Sequence, residues 1–126
     1  MNVDDRVLFL GFIKDVSDYI NLFDVNVNCS IGTETSSLAI SEGLSIGIPA
    51  IVSDFGGNPN MVIDGETGYI FHAQDSCQLY KILLNIKNNP KLHATLRENA
   101  REDYKKRFTL ERMCKEYQKI YLSMMQ

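Results

Sequence analysis

The sequence lacks the features that mark membrane, secreted and nucleic-acid-binding proteins. No apolar run approaches the ~20 residues needed to cross a bilayer. The first residues, Met1 to Arg6, are polar and acidic, unlike the start of a signal peptide. The formal net charge is only -3, and a weakly acidic chain has no positive field to attract nucleic acid or anionic lipid. We therefore expect a cytoplasmic protein without a transmembrane segment and without a nucleic-acid partner.

Cysteine is scarce and forms no metal-binding pattern. The three residues, Cys29, Cys77 and Cys114, are odd in number and far apart, with neither a CxxC nor a Cys/His spacing. We expect no metal site and predict reduced, partly buried thiols.

The apolar residues predict an α/β protein. A chain of 126 residues with 44% hydrophobic and 23% charged residues suits one soluble domain with a modest core. Short apolar runs alternate with helical patterns, which favours a Rossmann-like parallel sheet with flanking helices. The predicted strands cover 7–10, 24–29, 50–53 and 69–71, and the predicted helices cover 15–23, 38–46 and most of the chain from 75 onward, with a break at Pro90 and Thr109 as the last N-cap. The absence of a G-x-G-x-x-G run argues against a dinucleotide-binding domain, which is a weaker alternative.

The loop from Ser30 to Ser37 is the candidate binding segment. It follows a predicted strand and leads into the helix that starts at Leu38, and ligands of open α/β sheets bind at that end of the strands. A helix N-terminus presents unpaired N–H groups that suit a phosphate, and the small residues Thr35, Ser36 and Ser37 would let it approach. The alternative is that Ser36 or Ser37 only caps the helix.

Two glutamates, Glu34 and Glu42, bracket this loop with seven residues between them. A carboxylate repels phosphate but accepts two hydrogen bonds, so it suits the paired hydroxyls of a sugar. The alternative for Glu42 is a solvated surface position. Because its helix is apolar on most of its surface, we expect that helix to be well buried and Glu42 to require a partner.

The run from Glu34 to Glu42 resembles the E-x7-E motif of retaining glycosyltransferases of family 4, which have the GT-B fold. Five further segments resemble motifs of that family in the same order: 7–11, 24–30, 42–49, 53–59 and 64–68. The family usually has Gly-Phe-Gly where this sequence has Thr35-Ser36-Ser37, and Glu where it has Asn60. Together the matching segments cover most of the chain.

The resemblance implies a role for each candidate site residue. Glu34, the candidate catalytic residue, would contact donor-sugar hydroxyls, and Glu42 would bind the ribose hydroxyls of a UDP- or GDP-sugar. The diphosphate would lie on the backbone N–H groups of Thr35, Ser36, Ser37 and Leu38, and the nucleobase would border the loop of Gly11, Phe12 and Ile13. No metal and no dissociable cofactor is implied, because the helix N-terminus and basic residues stabilise the charge.

The resemblance also implies that the chain is one part of a larger enzyme. Residues 1–126 would form a partial nucleotide-sugar-binding domain with a C-terminal helix at 109–126. Two strands before Val7, which carry an Arg and a Lys, and the amino-terminal acceptor domain would be missing. No base stands near the Glu34 loop, Lys14 being the closest in sequence. We expect the isolated chain to be inactive, and the full-length enzyme to be cytoplasmic or peripheral at the inner membrane face. The alternative is a non-catalytic nucleotide-binding or degenerate module.

Two structural expectations follow. The missing strands would leave a hole in the sheet, to be closed by pairing Val7–Leu10 with 25–28 or by a second copy of the chain. The last helix carries an apolar stripe at helical spacing, and we expect it to form a homodimer. The alternative is a monomer in which this helix folds back over the hole in its own sheet. The stripe comprises Leu110, Met113, Cys114, Tyr117, Ile120, Tyr121 and Met124.

Overall fold

A computed structural model describes residues 3–32 and 35–125. Its strands are β1 (Asn26–Asn28), β2 (Ala50–Ser53) and β3 (Gly68–Phe71). Its α-helices are α1 (Ser17–Ile20), α2 (Leu38–Ser45), α3 (Ser76–Asn88), α4 (Pro90–Arg107) and α5 (Leu110–Met124). Two 3-10 turns lie at Asp4–Arg6 and Asn58–Met61.

The strands form one parallel sheet in the order β1-β2-β3. Asn26 pairs with Ala50, and Ala50 pairs in turn with Gly68. Parallel strands need crossover connections, and the segments between these strands contain α2 and the Asn58–Met61 turn. The predicted α/β class, a parallel sheet with flanking helices, is confirmed.

The core lies on both faces of the central strand β2, which is buried at every position. Alternate residues of a strand point to opposite faces, so Val52 and Ile51 belong to different clusters. Helix α2 contributes Ile40 and Leu44 to the first cluster, and α3 contributes Ile86 to the second. Helix α4 contributes to both clusters and so fixes the two layers relative to each other.

Helix α2 begins and ends near the positions that the sequence indicates. Ser37 is the N-cap, and Gly47, which follows the C-cap, has a φ of 79°, a conformation that glycine adopts without strain. The expectation that this helix is well buried was wrong, because only Ile40, Gly43 and Leu44 are buried in it. Leu38 is 76% exposed, so α2 covers the sheet with one face only.

The predicted strand at Val7–Leu10 does not form. No strand in the described part of the chain pairs with it, and the side chain of Phe9 is 91% exposed. A strand is stable only where a neighbour pairs its backbone and covers its side chains. The expected pairing with β1 was therefore wrong, and the outer edge of β1 has no neighbour among the described residues.

Two smaller expectations also need correction. All three cysteines are free but exposed rather than partly buried. Helix α1 covers only four residues of the predicted 15–23, and its N-cap is Val16 rather than Asp15. The Asp15 carboxylate accepts hydrogen bonds from the N–H and the hydroxyl of Ser17, at 3.1 and 2.6 Å, so it supports the same turn from one residue earlier.

Candidate functional site

The loops that follow β1 and β2 are joined by hydrogen bonds. The hydroxyl of Ser53 donates to the carbonyl oxygen of Ser30 at 2.6 Å, and the amide of Asn58 donates to Ser53 Oγ at 3.1 Å. Ser53 and Asn58 are fully buried. Within the described part of the chain, Asn58 Oδ1 has no hydrogen-bond donor. This chain of contacts fixes the loop that leads towards α2.

The loop after β2 also touches the candidate binding segment directly. A Cβ atom on Gly57 would lie 1.9 Å from the carbonyl oxygen of Thr35, far inside any real contact. Only glycine fits at this position, so the Gly56-Gly57 pair allows the loop after β2 to pack on the backbone of the loop before α2.

The N-terminus of α2 is capped by Ser37. Its hydroxyl oxygen accepts hydrogen bonds from the N–H of Ile40 at 3.4 Å and from the side-chain amide of Asn28 at 3.2 Å. The capping alternative therefore holds for Ser37, which is buried, and not for the exposed Ser36.

Several backbone donors nevertheless remain open at this end of α2. Those without an acceptor in residues 3–32 or 35–125 are the N–H groups of Thr35, Ser36, Ser37 and Leu38. A helix N-terminus with open N–H groups and a positive dipole end is suited to an anion such as a phosphate. The predicted catalytic residue, Glu34, lies outside the described residues.

Glu42 is exposed on α2 and faces two cavities. Across the described ranges its carboxylate has neither a hydrogen bond nor an ion pair, so the expectation that it requires a protein partner was wrong. One cavity, of about 260 Å³, is lined by Glu42 together with Gly11, Ile13 and Asn26, among others.

Two more of the predicted site residues therefore line the same cavity as Glu42. Gly11 and Ile13, from the loop predicted to border a nucleobase, share its cavity. Phe12 does not line this cavity, and its side chain is 94% exposed. A second cavity of about 340 Å³ is lined by Glu42 together with Lys14 and Asp15.

The expectation that no base stands near the loop before α2 was wrong. The end of α4 contributes Arg107, and the start of α5 contributes Arg112, to a groove of about 670 Å³ that Ser36 also lines. Both guanidinium groups already have protein partners. Arg107 contacts Asp103 and the carbonyl oxygen of Asn60, and Arg112 donates to the carbonyl oxygen of Arg107.

A pair of side chains that the sequence did not single out for function lies at the same edge of the sheet. His72 Nδ1 lies 2.8 Å from Asp54 Oδ2, and the N–H of Ala73 donates to Asp54 Oδ1 at 2.8 Å. The hydrogen bond with His72 lowers the pKa of Asp54, and that with Asp54 raises the pKa of His72. The sequence could have indicated this contact, because Asp54 and His72 each follow a strand and the two strands, β2 and β3, are neighbours.

His93, on α4, is half-buried. Its Nε2 atom lies 2.8 Å from the carbonyl oxygen of Asp24, just before β1. No group of three or more His, Cys, Asp or Glu side chains that could hold a metal occurs in residues 3–32 and 35–125. The same ranges contain no helix that is both long and apolar enough to cross a bilayer.

Residues 1–103 match a family model described as glycosyl transferases group 1. The chain belongs to this family. The resemblance that these motifs indicated is therefore confirmed at the level of glycosyl transferases group 1.

Curated relatives of this group 1 glycosyltransferase chain agree with that assignment. It is 29% identical over 121 residues to N-acetyl-alpha-D-glucosaminyl L-malate synthase of Bacillus anthracis, a match that covers 96% of this chain and 32% of the relative. It is 34% identical over 117 residues to alpha-monoglucosyldiacylglycerol synthase of Acholeplasma laidlawii, covering 91% of this chain and 28% of the relative. The chain thus spans about a third of the length of these relatives.

Solved glycosyltransferase structures have the same fold. Anabaena HepE in complex with UDP matches with a TM-score of 0.89 at 24% identity, over 96% of this chain and 33% of that one. Sucrose-phosphate synthase from Thermosynechococcus elongatus matches with a TM-score of 0.84 at 31% identity, over 96% of this chain and 31% of that one.

Proposed function

We propose that this chain is the donor-binding half of a glycosyltransferase that moves a sugar from a nucleotide-diphosphate sugar to an acceptor with retention of configuration, as in family 4. The observation that carries this proposal is the position of Glu42. It lies on the helix whose N-terminal N–H groups are open, and in one cavity with Gly11 and Ile13. The relative HepE, which has this fold, binds UDP and UDP-glucose.

Each part of the donor has a chemically suitable neighbour in this arrangement. The exposed carboxylate of Glu42, which has no partner among the described residues, would accept hydrogen bonds from both hydroxyls of a ribose. The open N–H groups at the start of α2 would hold the diphosphate, and the loop of Gly11, Phe12 and Ile13 would border the base. Glu34 would bind hydroxyls of the transferred sugar, as a group that touches the reacting unit.

Charge neutralisation is incomplete in this chain. A diphosphate needs more positive charge than one helix N-terminus supplies, since the end of a helix carries only about half an elementary charge. Arg107 and Arg112 are engaged by protein atoms, and Lys14 lies in a cavity beside Glu42 rather than at the start of α2. We therefore propose that additional basic residues and an acceptor domain complete the enzyme, which works in the cytoplasm or at its membrane face.

The second candidate function is a non-catalytic nucleotide-binding module. The engagement of Arg107 and Arg112 by protein atoms favours it, because a nucleotide could bind weakly without being activated for transfer.

Calorimetric titration of UDP and GDP against the 126-residue chain tests the proposal. Glu42→Ala should weaken nucleotide binding about ten- to a hundred-fold, or roughly 1.5–3 kcal/mol, because a charge-assisted contact to ribose is lost. Glu98→Ala, which removes an exposed carboxylate from α4, is the matched control and should bind as the unmodified chain does. Equal binding by all three proteins would refute the role of Glu42. Absence of binding by the unmodified chain would refute the proposed donor site.

A further inference from the structure

Two asparagines of strand β1 bind helix α2. Asn26 and Asn28 are two residues apart, so their side chains lie on the same face of the strand. The amide of Asn28 donates to Ser37 Oγ at 3.2 Å, which supports the helix cap described above. The amide of Asn26 donates to the carbonyl oxygen of Ala39 at 2.7 Å. This second contact differs from the first, because it reaches a backbone group inside the helix rather than its cap.

The hydrogen bond from Asn26 is compatible with an intact helix. In an α-helix the carbonyl oxygen of Ala39 accepts from the N–H group four residues later, and its second lone pair remains free for a side-chain amide. The bond joins the sheet to the first turn of α2 across 13 residues of the sequence. It therefore adds a directional link between β1 and α2 without removing a hydrogen bond from either element.

Gly43 leaves the space that this amide occupies. It is buried in α2, and a Cβ atom on it would lie 3.0 Å from Asn26 Nδ2 and 3.5 Å from Asn26 Cβ. Ala39 and Gly43 are four residues apart, so they lie in one row along the helix. Glycine inside a helix lowers its intrinsic stability, and the close approach of Asn26 accounts for a glycine at this position.

The row of Ala39 and Gly43 lies between the core face of α2 and the face that carries Glu42. Successive residues of a helix are rotated by about 100°, so Leu44 lies to one side of Gly43 and Glu42 to the other. Ile40 and Leu44 hold the first side in the apolar core. Apolar contacts have no preferred direction, whereas a hydrogen bond weakens steeply when it is misaligned. The bond to the Ala39 carbonyl oxygen therefore limits rotation of the helix about its own axis.

We propose that Asn26 is a positioning residue for Glu42, an inference that rests on the proposed donor site. Asn26, Ala39 and Glu42 line one cavity with Gly11. By fixing the rotation of α2, the bond between Asn26 and Ala39 holds the Glu42 carboxylate towards that cavity. A carboxylate accepts from both hydroxyls of a ribose only in a narrow range of orientations. In this role Asn26 acts through Glu42 and makes no contact with the nucleotide.

A double-mutant cycle with UDP, measured by calorimetric titration, tests this role. Asn26→Leu keeps a side chain branched at the same carbon but removes the donor, and it should weaken UDP binding about three- to tenfold. In the Glu42→Ala background the same substitution should have no effect, because the group that it positions is absent. The unmodified chain and Asn26→Leu should also bind 2′,3′-dideoxy-UDP equally, because this analogue lacks the ribose hydroxyls that Glu42 would accept.

Two further variants separate positioning from stability. Asn99→Leu is the matched control, since it removes a similar bond from a half-buried amide to the carbonyl oxygen of Glu66, and it should bind UDP as the unmodified chain does. Gly43→Ala favours the helix but forces the amide of Asn26 to shift. It should stay folded by circular dichroism and should weaken the binding of UDP but not that of the dideoxy analogue.

The outcomes distinguish failure of this inference from failure of the donor site. Weaker UDP binding by Glu42→Ala, together with unchanged binding by Asn26→Leu, would overturn the positioning role alone. So would an undiminished effect of Asn26→Leu in the Glu42→Ala background, because Asn26 would then contact the nucleotide itself. Equal weakening of UDP and dideoxy-UDP binding would assign Asn26 a purely structural role and would also refute the inference. Absence of UDP binding by the unmodified chain would overturn the donor site, and the positioning role with it.

Discussion

His72 Nδ1 lies 2.8 Å from Asp54 Oδ2, which joins the ends of the neighbouring strands β2 and β3. The N–H of Ala73 donates to the other carboxylate oxygen of Asp54, and the N–H of His72 donates to Gln78 on α3. Asp54 therefore acts as an anchor for the turn between β3 and α3. Because both partners are exposed, the contribution of the pair to stability depends on pH and on salt.

The pair predicts a pH-dependent stability. Asp54 raises the pKa of His72 from 6.5, so the stabilisation from charged His72 is complete below about pH 6.5 and is lost as the pH rises through the raised pKa. His72 lowers the pKa of Asp54 from 3.8, so that contribution is present above about pH 3.8 and is lost as the pH falls through the lowered pKa. The effect should be greatest between these two values.

Thermal unfolding measured from about pH 5 to pH 8 checks this expectation. Over that range the melting temperature of the unmodified chain should fall further than that of His72→Gln, because the glutamine side chain has no charge to lose. High salt should reduce the difference. His93→Gln is the comparison, since His93 bonds to a backbone carbonyl oxygen rather than to a carboxylate. An identical pH dependence of the unmodified chain and His72→Gln would show that the pair contributes nothing.

The contact between Gly57 and Thr35 predicts a strong effect of one added methyl group. In Gly57→Ala the new Cβ would overlap the carbonyl oxygen of Thr35, so one of the two loops must move. We expect a loss of about 2 kcal/mol or more of unfolding free energy and weaker binding of UDP or GDP. Gly32→Ala is the matched control, because a Cβ there meets nothing within 4 Å. Urea unfolding compares the two variants, and equal stabilities would contradict the close packing of these loops.

The sequence predicts those elements of the fold that are determined by a few adjacent residues. The strand at Ala50–Ser53 is predicted correctly because its continuous apolar run requires burial on both faces. The cap at Thr109 is likewise set by a few adjacent atoms, and its side chain accepts from the N–H of Arg112. The run at Val7–Leu10 is just as apolar, yet it stays unpaired. Whether a strand forms depends on the neighbour beside it, which no local pattern contains.

The candidate site likewise combines features that are local in the sequence with contacts that depend on tertiary packing. The spacing of Glu34 and Glu42 and the small residues between them can be read from the sequence, because they are contiguous in the chain. The meeting of Glu42 with Gly11 and Ile13 was expected only through the family resemblance. The contact of His93 with Asp24 spans 69 residues, and the approach of Arg107 and Arg112 to α2 depends on how α4 and α5 pack. Such contacts result from tertiary packing and leave no periodic signal in the sequence.

Removal of the Ser37 cap should lower the stability moderately without changing the charge of the chain. Ser37→Ala removes the acceptor for the N–H of Ile40 and leaves the side-chain amide of Asn28 without a partner. The expected cost is about 1–2 kcal/mol in urea unfolding. Ser36→Ala, at the exposed neighbouring position, should leave the stability nearly unchanged. A larger cost for Ser36→Ala than for Ser37→Ala would contradict the assignment of the cap.

Sugar transfer by the isolated chain should not be detectable. Transfer requires an acceptor hydroxyl held against the donor, and positioning of this kind supplies a large part of the rate enhancement of two-substrate enzymes. The described residues around Glu42 form open cavities, and the two arginines that share a groove with Ser36 are bound to protein atoms. Hydrolysis of the donor should also remain near background, because the leaving diphosphate lacks a basic clamp.

The purified chain is incubated with radiolabelled UDP- and GDP-sugars, and free sugar is measured beside a Glu34→Ala variant. Equal, background release by both proteins is the expected result. Release by the unmodified chain well above that of Glu34→Ala would show that this chain already contains a complete catalytic site, and that its open N–H groups suffice to stabilise the departing nucleotide.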